Sequence, residues 1–488
     1  MNIDFNAAAL GEVTAGEVGD EGLAQLQKAL TATPYTTDVA TLSGAGALRV
    51  QSLDKTMKAT ILENDQFKLF NELAKASAGA IVDEWTERPA IGGYEGGTAN
   101  SETGDIQEET GEYYRRVGQV KFLMTRAQVS LISTLGNNIA SAKASEAQNA
   151  ALRLLRDAEH LSWYGNDAVV STEFAGIFAQ MEAGVAAGQV DGRNIVNADG
   201  GALSGIEAVN SAAAQVAGWD NFGRGTHLFM SQDTQVDFDN DLDPAYRVNL
   251  PDVPAGGITL GSPVIGIRTS WGNIKTVNNV FIRDEKLQVP FQIRYAARAT
   301  ANTGMKPTLA SVVAATGTAS NMFTAPRAGN YYYLVTGLRA GAGESDGVIS
   351  AQTAVTAGQK VTVTITASAG GQETGYAVYR SRQNGTNAPS DFRLIKRIPK
   401  TASSTVFVDE NLDMPGSTQA ALLNMGRGAD AINWRQMLPM TEFQLYPTTA
   451  AVLPWAQLLC GYLRITKRRQ HAVIKNIVPG KALWKPHG

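Results

Sequence analysis

Residues 88–116 read RPAIGGYEGGTANSETGDIQEETGEYYRR. The stretch is rich in glycine, has almost no large apolar side chain, and crowds its acids into its second half. It lies between AIVDEWTERP and YYRRVGQVKFLMTRAQVSL, which alternate as strands do. The pattern predicts a long β-hairpin over 80–123 with a glycine-rich tip. At about 3.3 Å per residue, an arm of about fifteen residues reaches roughly 50 Å. A two-stranded hairpin is marginal in water, and a long polar loop is unusual inside a compact domain. The hairpin is therefore expected either to be floppy or, the preferred reading, to be held by another subunit.

Asp83, Glu84, Glu87, Glu95, Glu102, Asp105, Glu108, Glu109 and Glu112 make this arm acidic, with Arg88, Arg115 and Arg116 near its base. A catalytic pair of carboxylates needs a rigid supporting shell, which a glycine-rich tip does not provide. Docking on a basic patch of another copy fits better, because charge sets register and suppresses wrong partners. The candidate inter-subunit contacts are Trp85, Arg88, Tyr94, Glu95, Asp105, Glu108, Glu109, Tyr113, Tyr114, Arg115 and Arg116.

Working outward, residues 1–50 are rich in Ala, Gly and Thr and read as an N-terminal arm with one short helix near Glu21–Leu30. Residues 51–79 carry helical spacing through Met57, Ile61, Leu62, Leu69, Phe70 and Leu73, continuing to Ala76. Residues 124–166 contain a long helix expected to start at Asn137 or Asn138 and to run to Gly165. Its inward stripe is Ile139, Ala142, Ala147, Ala150, Leu154, Ala158 and Leu161; Arg153, Arg156, Asp157 and Glu159 form its polar side. Residues 167–305 and 416–488 have α/β character, whereas 306–415 are dense in Thr, Val, Tyr, Ser and Gly. Short strands with turn signals there (NYYYLVTGLR, KVTVTITAS, TGYAVYRS, FRLIKRIP, STVFVDENL) predict an inserted β-sandwich. The fold class is α+β.

The 488-residue chain has ordinary globular composition, with 44% hydrophobic and 18% charged residues. Its formal net charge of -4 argues against a dedicated nucleic-acid binder. The single cysteine, Cys460, excludes an internal disulfide and is expected to be a buried thiol. No run of eighteen apolar residues marks a membrane span, and the acidic N-terminus lacks the basic region of a secretory signal. His160, His227, His471 and His487 stand in no metal-binding spacing. The run Asp237, Asp239, Asp241, Asp243 would need Gly and Glu where Leu242 and Val248 stand to be a calcium loop. No nucleophile elbow or P-loop motif occurs, so no catalytic, cofactor or metal residues are assigned. The one basic concentration, Arg464, Lys467, Arg468, Arg469 and Lys475, is expected to face packaged nucleic acid, to neutralise an acidic neighbour, or to be the solvated edge of a terminal strand pair.

The order of these pieces resembles the major capsid protein of tailed bacteriophages, a fold shared with encapsulin shells. WTERPAIGG to AQVSL looks like that family's extended loop, and ALRLLRDAEHLSWYGND followed by FAGIF resembles the end of its spine helix. THLFMSQDTQVDF is similar to the axial domain's strand and helix, and TEFQLYP to QHAVIKNI resembles its closing strands. The resemblance implies an N-terminal arm, an extended loop, a peripheral domain with a spine helix, and an axial domain. It implies a non-enzymatic subunit of an icosahedral head, arranged in pentamers and hexamers around double-stranded DNA. The implied partners are other copies, a portal, and scaffold or cement proteins, with no membrane; the protein is expected in the virion after synthesis in the bacterial host cytoplasm. Some relatives cross-link through an extended-loop lysine, and this chain has none between Lys75 and Lys121. The sandwich resembles immunoglobulin-like or fibronectin type III domains, with its strands in permuted order. Alternative readings are an encapsulin-like compartment and a monomeric carbohydrate-binding or adhesin protein.

Overall fold

The computed structural model describes residues 66–93, 96–106, 108–135, 142–203, 206–218, 221–241, 264–282, 303–318, 323–340, 343–426, 431–447 and 451–487. The expected N-terminal arm, the positions Met57, Ile61 and Leu62, and the start of the long helix lie outside these residues.

The first described elements are a single helical turn, α1 (Lys68–Glu72), and a strand, β1 (Ala74–Ser77). The helical reading through Ala76 is corrected here. Leu73 adopts extended geometry, and β1 pairs in parallel with a strand about 360 residues away. A partner strand offers four residues more than an isolated helix end does. The hairpin follows as β2 (Val82–Ala90) and β3 (Glu112–Gln119). The ladder slips between Glu87 and Ala90, where Pro89 lacks the donor that regular pairing needs. The return strand ends at Gln119. After the buried Val120 the chain changes sheet and forms β4 (Lys121–Ser130).

The long helix α2 (Ala142–Tyr164) buries Ala150, Leu154 and Ala158 as its stripe requires. It stops where Gly165 passes so close to Phe174 that a Cβ would lie 2.2 Å from that carbonyl oxygen. Glu159, read as part of the polar side, is instead fully buried. After α3 (Ile177–Ala186), β5 (Ile195–Asn197) and α4 (Glu207–Ala217) come β6 (His227–Met230), α5 (Gln232–Asp241) and the hairpin β7 (Gly266–Thr269) and β8 (Gly272–Asn278). Ser231 caps α5, its Oγ accepting from the Thr234 amide at 3.3 Å.

Residues 308–409 form the sandwich. One sheet joins β9 (Thr308–Thr316), β15 (Gln359–Thr366) and β18 (Ser404–Asp409) in the order β18-β15-β9. The other is built on β11 (Tyr333–Arg339), β16 (Gly375–Arg380) and β17 (Arg393–Pro399), with the short strands β12 (Gly343–Glu344) and β13 (Val348–Ile349) on its edge. The pair β10 (Gly329–Tyr331) and β14 (Thr353–Val355) stands apart. Val335, Val361, Val363, Ile365, Tyr376 and Val378 interleave as the core. Strand β9 was not singled out from the sequence.

The chain then returns to the sheets it had left. β19 (Thr418–Leu423) and β22 (Ala472–Ile477) complete a six-stranded sheet in the order β5-β22-β19-β6-β8-β7. Alternate residues serve opposite faces. Leu228, Met230, Leu422 and Ile474 pack with Val209 and Val216 of α4; Phe229, Ala421, Leu423 and Val473 join Trp163, Phe178 and Met181 on the other side. β20 (Ile432–Gln444) and β21 (Val452–Ile465) complete the four-stranded sheet β1-β20-β21-β4. β20 bulges around Pro439, again where a donor is missing.

The sandwich is docked rather than tethered. Val169 and Val170, just after α2, pack with Leu334, Leu338, Ala377, Tyr379 and Phe392 of its β11-β16-β17 sheet. Glu182 of α3 meets Lys396 at 3.0 Å and Lys475 at 2.5 Å, and Asp413 meets the same lysines at 3.1 and 2.7 Å. Burial opposes charge on Lys396, but Asp413 and Glu182 more than offset it and raise its pKa. Near the C-terminus, Trp484 is buried, donates to Asp391 Oδ1 at 3.1 Å and lies under Arg393. Trp484→Ala should therefore cost about 3 kcal/mol, read as a lower denaturation midpoint with faster protease cleavage within the sandwich. An unchanged midpoint would show that the tail does not fasten this module.

Candidate assembly site

The ribbon formed by β2 and β3 has two ends of different character. Its base is fixed by charge. Asp83 accepts from Arg435 Nε at 2.9 Å, from the Tyr462 hydroxyl at 2.5 Å and from Arg464 Nη1 at 3.4 Å. Burial works against ionisation of Asp83, yet the hydrogen bonds from Arg435 and Tyr462 and the two guanidinium charges hold its carboxyl below the ordinary carboxylate range. Burial and then the Asp83 carboxylate push the Tyr462 hydroxyl up, against the lowering charges of Arg464 and Arg435. Arg435 and Tyr462 are register partners on β20 and β21, so both reach Asp83 from one patch of the four-stranded sheet.

One step along the ribbon, Glu87 accepts from Trp85 Nε1 at 2.8 Å and pairs with Arg116 at 3.2 Å and Arg468 at 3.7 Å. Arg464 stacks over Trp85, while Arg116 also reaches Gln189. Arg469 donates to the carbonyls of Gln189 at 2.9 Å and Pro89 at 3.3 Å. Gly118 allows the close approach of ribbon and sheet, because a Cβ there would fall 2.3 Å from the Tyr462 ring. Tyr462 is buried and tied to Asp83, so it has little freedom to yield. Gly118→Val is expected to destabilise the ribbon's base by about 1–3 kcal/mol. Amide hydrogen exchange over 82–90 and 112–119 would report it as lost protection; retained protection would refute the packing argument.

The tip is the opposite. Asp105, Glu108 and Glu109 are exposed, as are Ile91 at 71%, Ile106 at 94% and Tyr113 at 65%. Arg115 pairs with Glu84 on the solvent side of the ribbon, and Tyr114 lies beneath Arg116. Arg88 is exposed beside the base. Tyr94 and Glu95 lie outside the described residues.

Within the basic concentration, Arg464 meets Asp83 and Arg468 meets Glu87, so these members neutralise acidic neighbours on the ribbon; Arg469 donates to the Pro89 carbonyl, Lys475 pairs with Glu182 and Asp413, and Lys467 is exposed. Arg435, Tyr462, Gln189 and Gly118 were missed. Their signal lay in partners 352 and 379 residues away from Asp83, which no local pattern encodes.

No family model matches the chain. The major capsid proteins of Staphylococcus phage S25-3 and Staphylococcus phage K are each 24% identical to it over 488 residues, covering 98% of this chain and 99% of theirs. The chain resembles phage major capsid proteins along nearly its whole length. Its role is accordingly structural, that of a capsid protein and not of an enzyme. Among solved structures, a capsid chain of the native GTA particle gives a TM-score of 0.47 at 8% identity, covering 91% of this chain and 100% of that one. The SrpI encapsulin of Synechococcus elongatus gives 0.43 at 9% identity, covering 92% and 98%.

Proposed function

We propose that this capsid protein builds an icosahedral head of pentamers and hexamers around double-stranded DNA. The observation that carries this reading is the ribbon: its base is locked to the subunit and its tip is uncovered. A polar, glycine-rich tip gains order only by burial, and a sister subunit supplies the missing surface. The candidate contact residues on the ribbon are the ones that meet that neighbour. Each contact can be weak, since even a Kd of about 1 mM is worth about -4.1 kcal/mol, and many simultaneous contacts make loss of one subunit rare. Portal, scaffold or cement proteins are the further partners, and the packaged DNA is met without sequence preference. Among the described residues no helix is long and apolar enough to cross a membrane.

The sandwich is read as an immunoglobulin-like module with permuted connections. If β11 and its edge strands are the last hairpin of a fibronectin type III arrangement, β15, β16, β17 and β18 follow as its second to fifth strands, and β9 fills the place of the first. Its role is decoration or weak surface binding on the outside of the head.

Electron microscopy of the concentrated, purified protein tests the main reading. Closed shells are expected; a stable monomer of 51.8 kDa would overturn it in favour of a free-standing binding protein. Shells that enclose protein and no DNA when produced with the phage's other components would instead favour a compartment.

A further inference from the structure

Beyond Trp484 the chain closes the corner where the sandwich meets the segment after β5. The Gln383 amide donates to the Pro486 carbonyl at 2.9 Å, and Gln383 Nε2 donates to the carbonyls of Pro326 at 2.9 Å and Ala328 at 2.7 Å. These bonds gather residues 484–487, the turn before β10 and the loop after β16 into one cluster. On the side of the six-stranded sheet, Arg327 donates to Asp199 Oδ1 and to the Asp199 carbonyl, each at 2.6 Å. His487 sits in their midst. A Cβ on Gly200 would come within 3.7 Å of its ring and 3.0 Å of Met414 Sδ, so bare backbone makes the seat. Both ring nitrogens are buried and, among the described residues, neither has a hydrogen-bond partner.

The charges facing this imidazole are Arg380, Arg327 and Asp199. Arg327 belongs to the turn Ala325–Arg327, Arg380 ends β16, and Asp199 follows β5. Arg380 is fully buried and paired with Asp409 at 2.6 Å, and Arg327 is paired with Asp199. A proton on His487 therefore finds each carboxylate already engaged. Burial first, then the guanidiniums of Arg380 and Arg327, outweigh Asp199 and bring the pKa of the seated ring down to about 3. Released into water, an imidazole returns to about 6.5. The seated form thus binds fewer protons, and its advantage, full above that value, falls as pH drops through it. We infer that residues 484–487 form an acid-released clasp: seated with His487 neutral among Arg327, Arg380 and Asp199, they fasten this corner of the sandwich to the six-stranded sheet, and protonation of the freed imidazole holds them off. The Val169 contact and the pairing of Glu182 with Lys396 lie elsewhere and keep the module on the body when the clasp opens. The inference stands apart from the assembly reading, because every group in it belongs to one subunit.

Amide hydrogen exchange of the full chain tests this at Gln383, whose amide is held by Pro486. Its protection factor in the wild type should fall about thirtyfold between about pH 7.5 and about pH 5. His487→Leu has no hydrogen bond to lose, so it should keep the protection seen at the higher pH and retain it at the lower. His487→Lys, charged at both, should show low protection throughout. Thermal unfolding of each variant checks that the rest of the subunit is folded. Equal wild-type protection at the two pH values overturns the inference. So does a fall that survives His487→Leu, which would assign the pH dependence to another group of the corner, such as Asp199. Should His487→Leu be open already at the higher pH, His487→Gln is measured in its place. Loss of protection in both neutral variants overturns the inference, because neutrality is then not what seats the segment.

Discussion

A chain lacking residues 92–111 is expected to fold and to form no closed shells. The described residues of the deleted segment are exposed or half-buried, and the deletion leaves both strands of the ribbon with Ile91 joined to Glu112. None of those described residues belongs to a core cluster. The Asp83 and Glu87 ion pairs that hold the base are likewise retained. The stability of the isolated subunit should therefore change by less than about 1 kcal/mol, as for surface changes away from packed features. Assembly is different in kind, because a shell multiplies each contact over every subunit. A loss of about 3 kcal/mol per contact lowers its equilibrium constant by more than a hundredfold. Shell yield in sedimentation should fall below about a tenth of wild type. Closed shells at normal yield would show that the ribbon's tip plays no part in assembly.

Glu159→Ala should produce the largest loss of stability in the subunit itself. The carboxylate is fully buried at the inner face of α2. It accepts from the Leu69 amide at 3.0 Å, the Phe70 amide at 2.7 Å and Asn279 Nδ2 at 2.6 Å. It thus answers the free donors at the start of α1 and ties the segment leading into the ribbon to the end of β8. Asn279 in turn accepts from the Phe281 amide at 2.8 Å. Alanine would leave three buried donors without this acceptor, an expected loss of about 3–5 kcal/mol in chemical denaturation. Glu159→Gln, which keeps one acceptor oxygen, should lose less. The pH profile gives a second reading. Burial pushes the Glu159 carboxyl up, and the hydrogen bonds from Asn279, Phe70 and Leu69 offset that only in part. Its folded pKa therefore lies above its unfolded value, and in that window the folded chain binds more protons. This group's contribution to stability falls as pH rises through the window, and the Gln variant should lack that slope. A loss under about 1 kcal/mol for alanine would show that other acceptors replace the carboxylate.

Much of the architecture could be read before any coordinates. Alternation on either side of the glycine-rich stretch marks a hairpin because strand periodicity is a local property. The alanine stripe of α2 and the Thr- and Val-rich strands of residues 359–366 and 404–409 are legible for the same reason. Composition, the single cysteine and the lack of metal spacings steer away from catalysis, since they depend on residue types and not on neighbours.

What local pattern could not supply is which charges meet. Asp83 and Glu87 read as members of one acidic arm, and Arg464, Arg468 and Arg469 as one basic cluster. Folding sets them against each other across some 380 residues of chain, turning two surface features into the ribbon's anchor. The same limit hid Glu159, whose position on the helix looked polar until backbone donors from α1 closed over it. It also ended the helix at Glu72, because β20 offers a pairing that propensity does not record. Periodicity is written along the chain, residue by residue. Desolvation and ion pairing depend on distances in space, and those exist only once distant strands have come together.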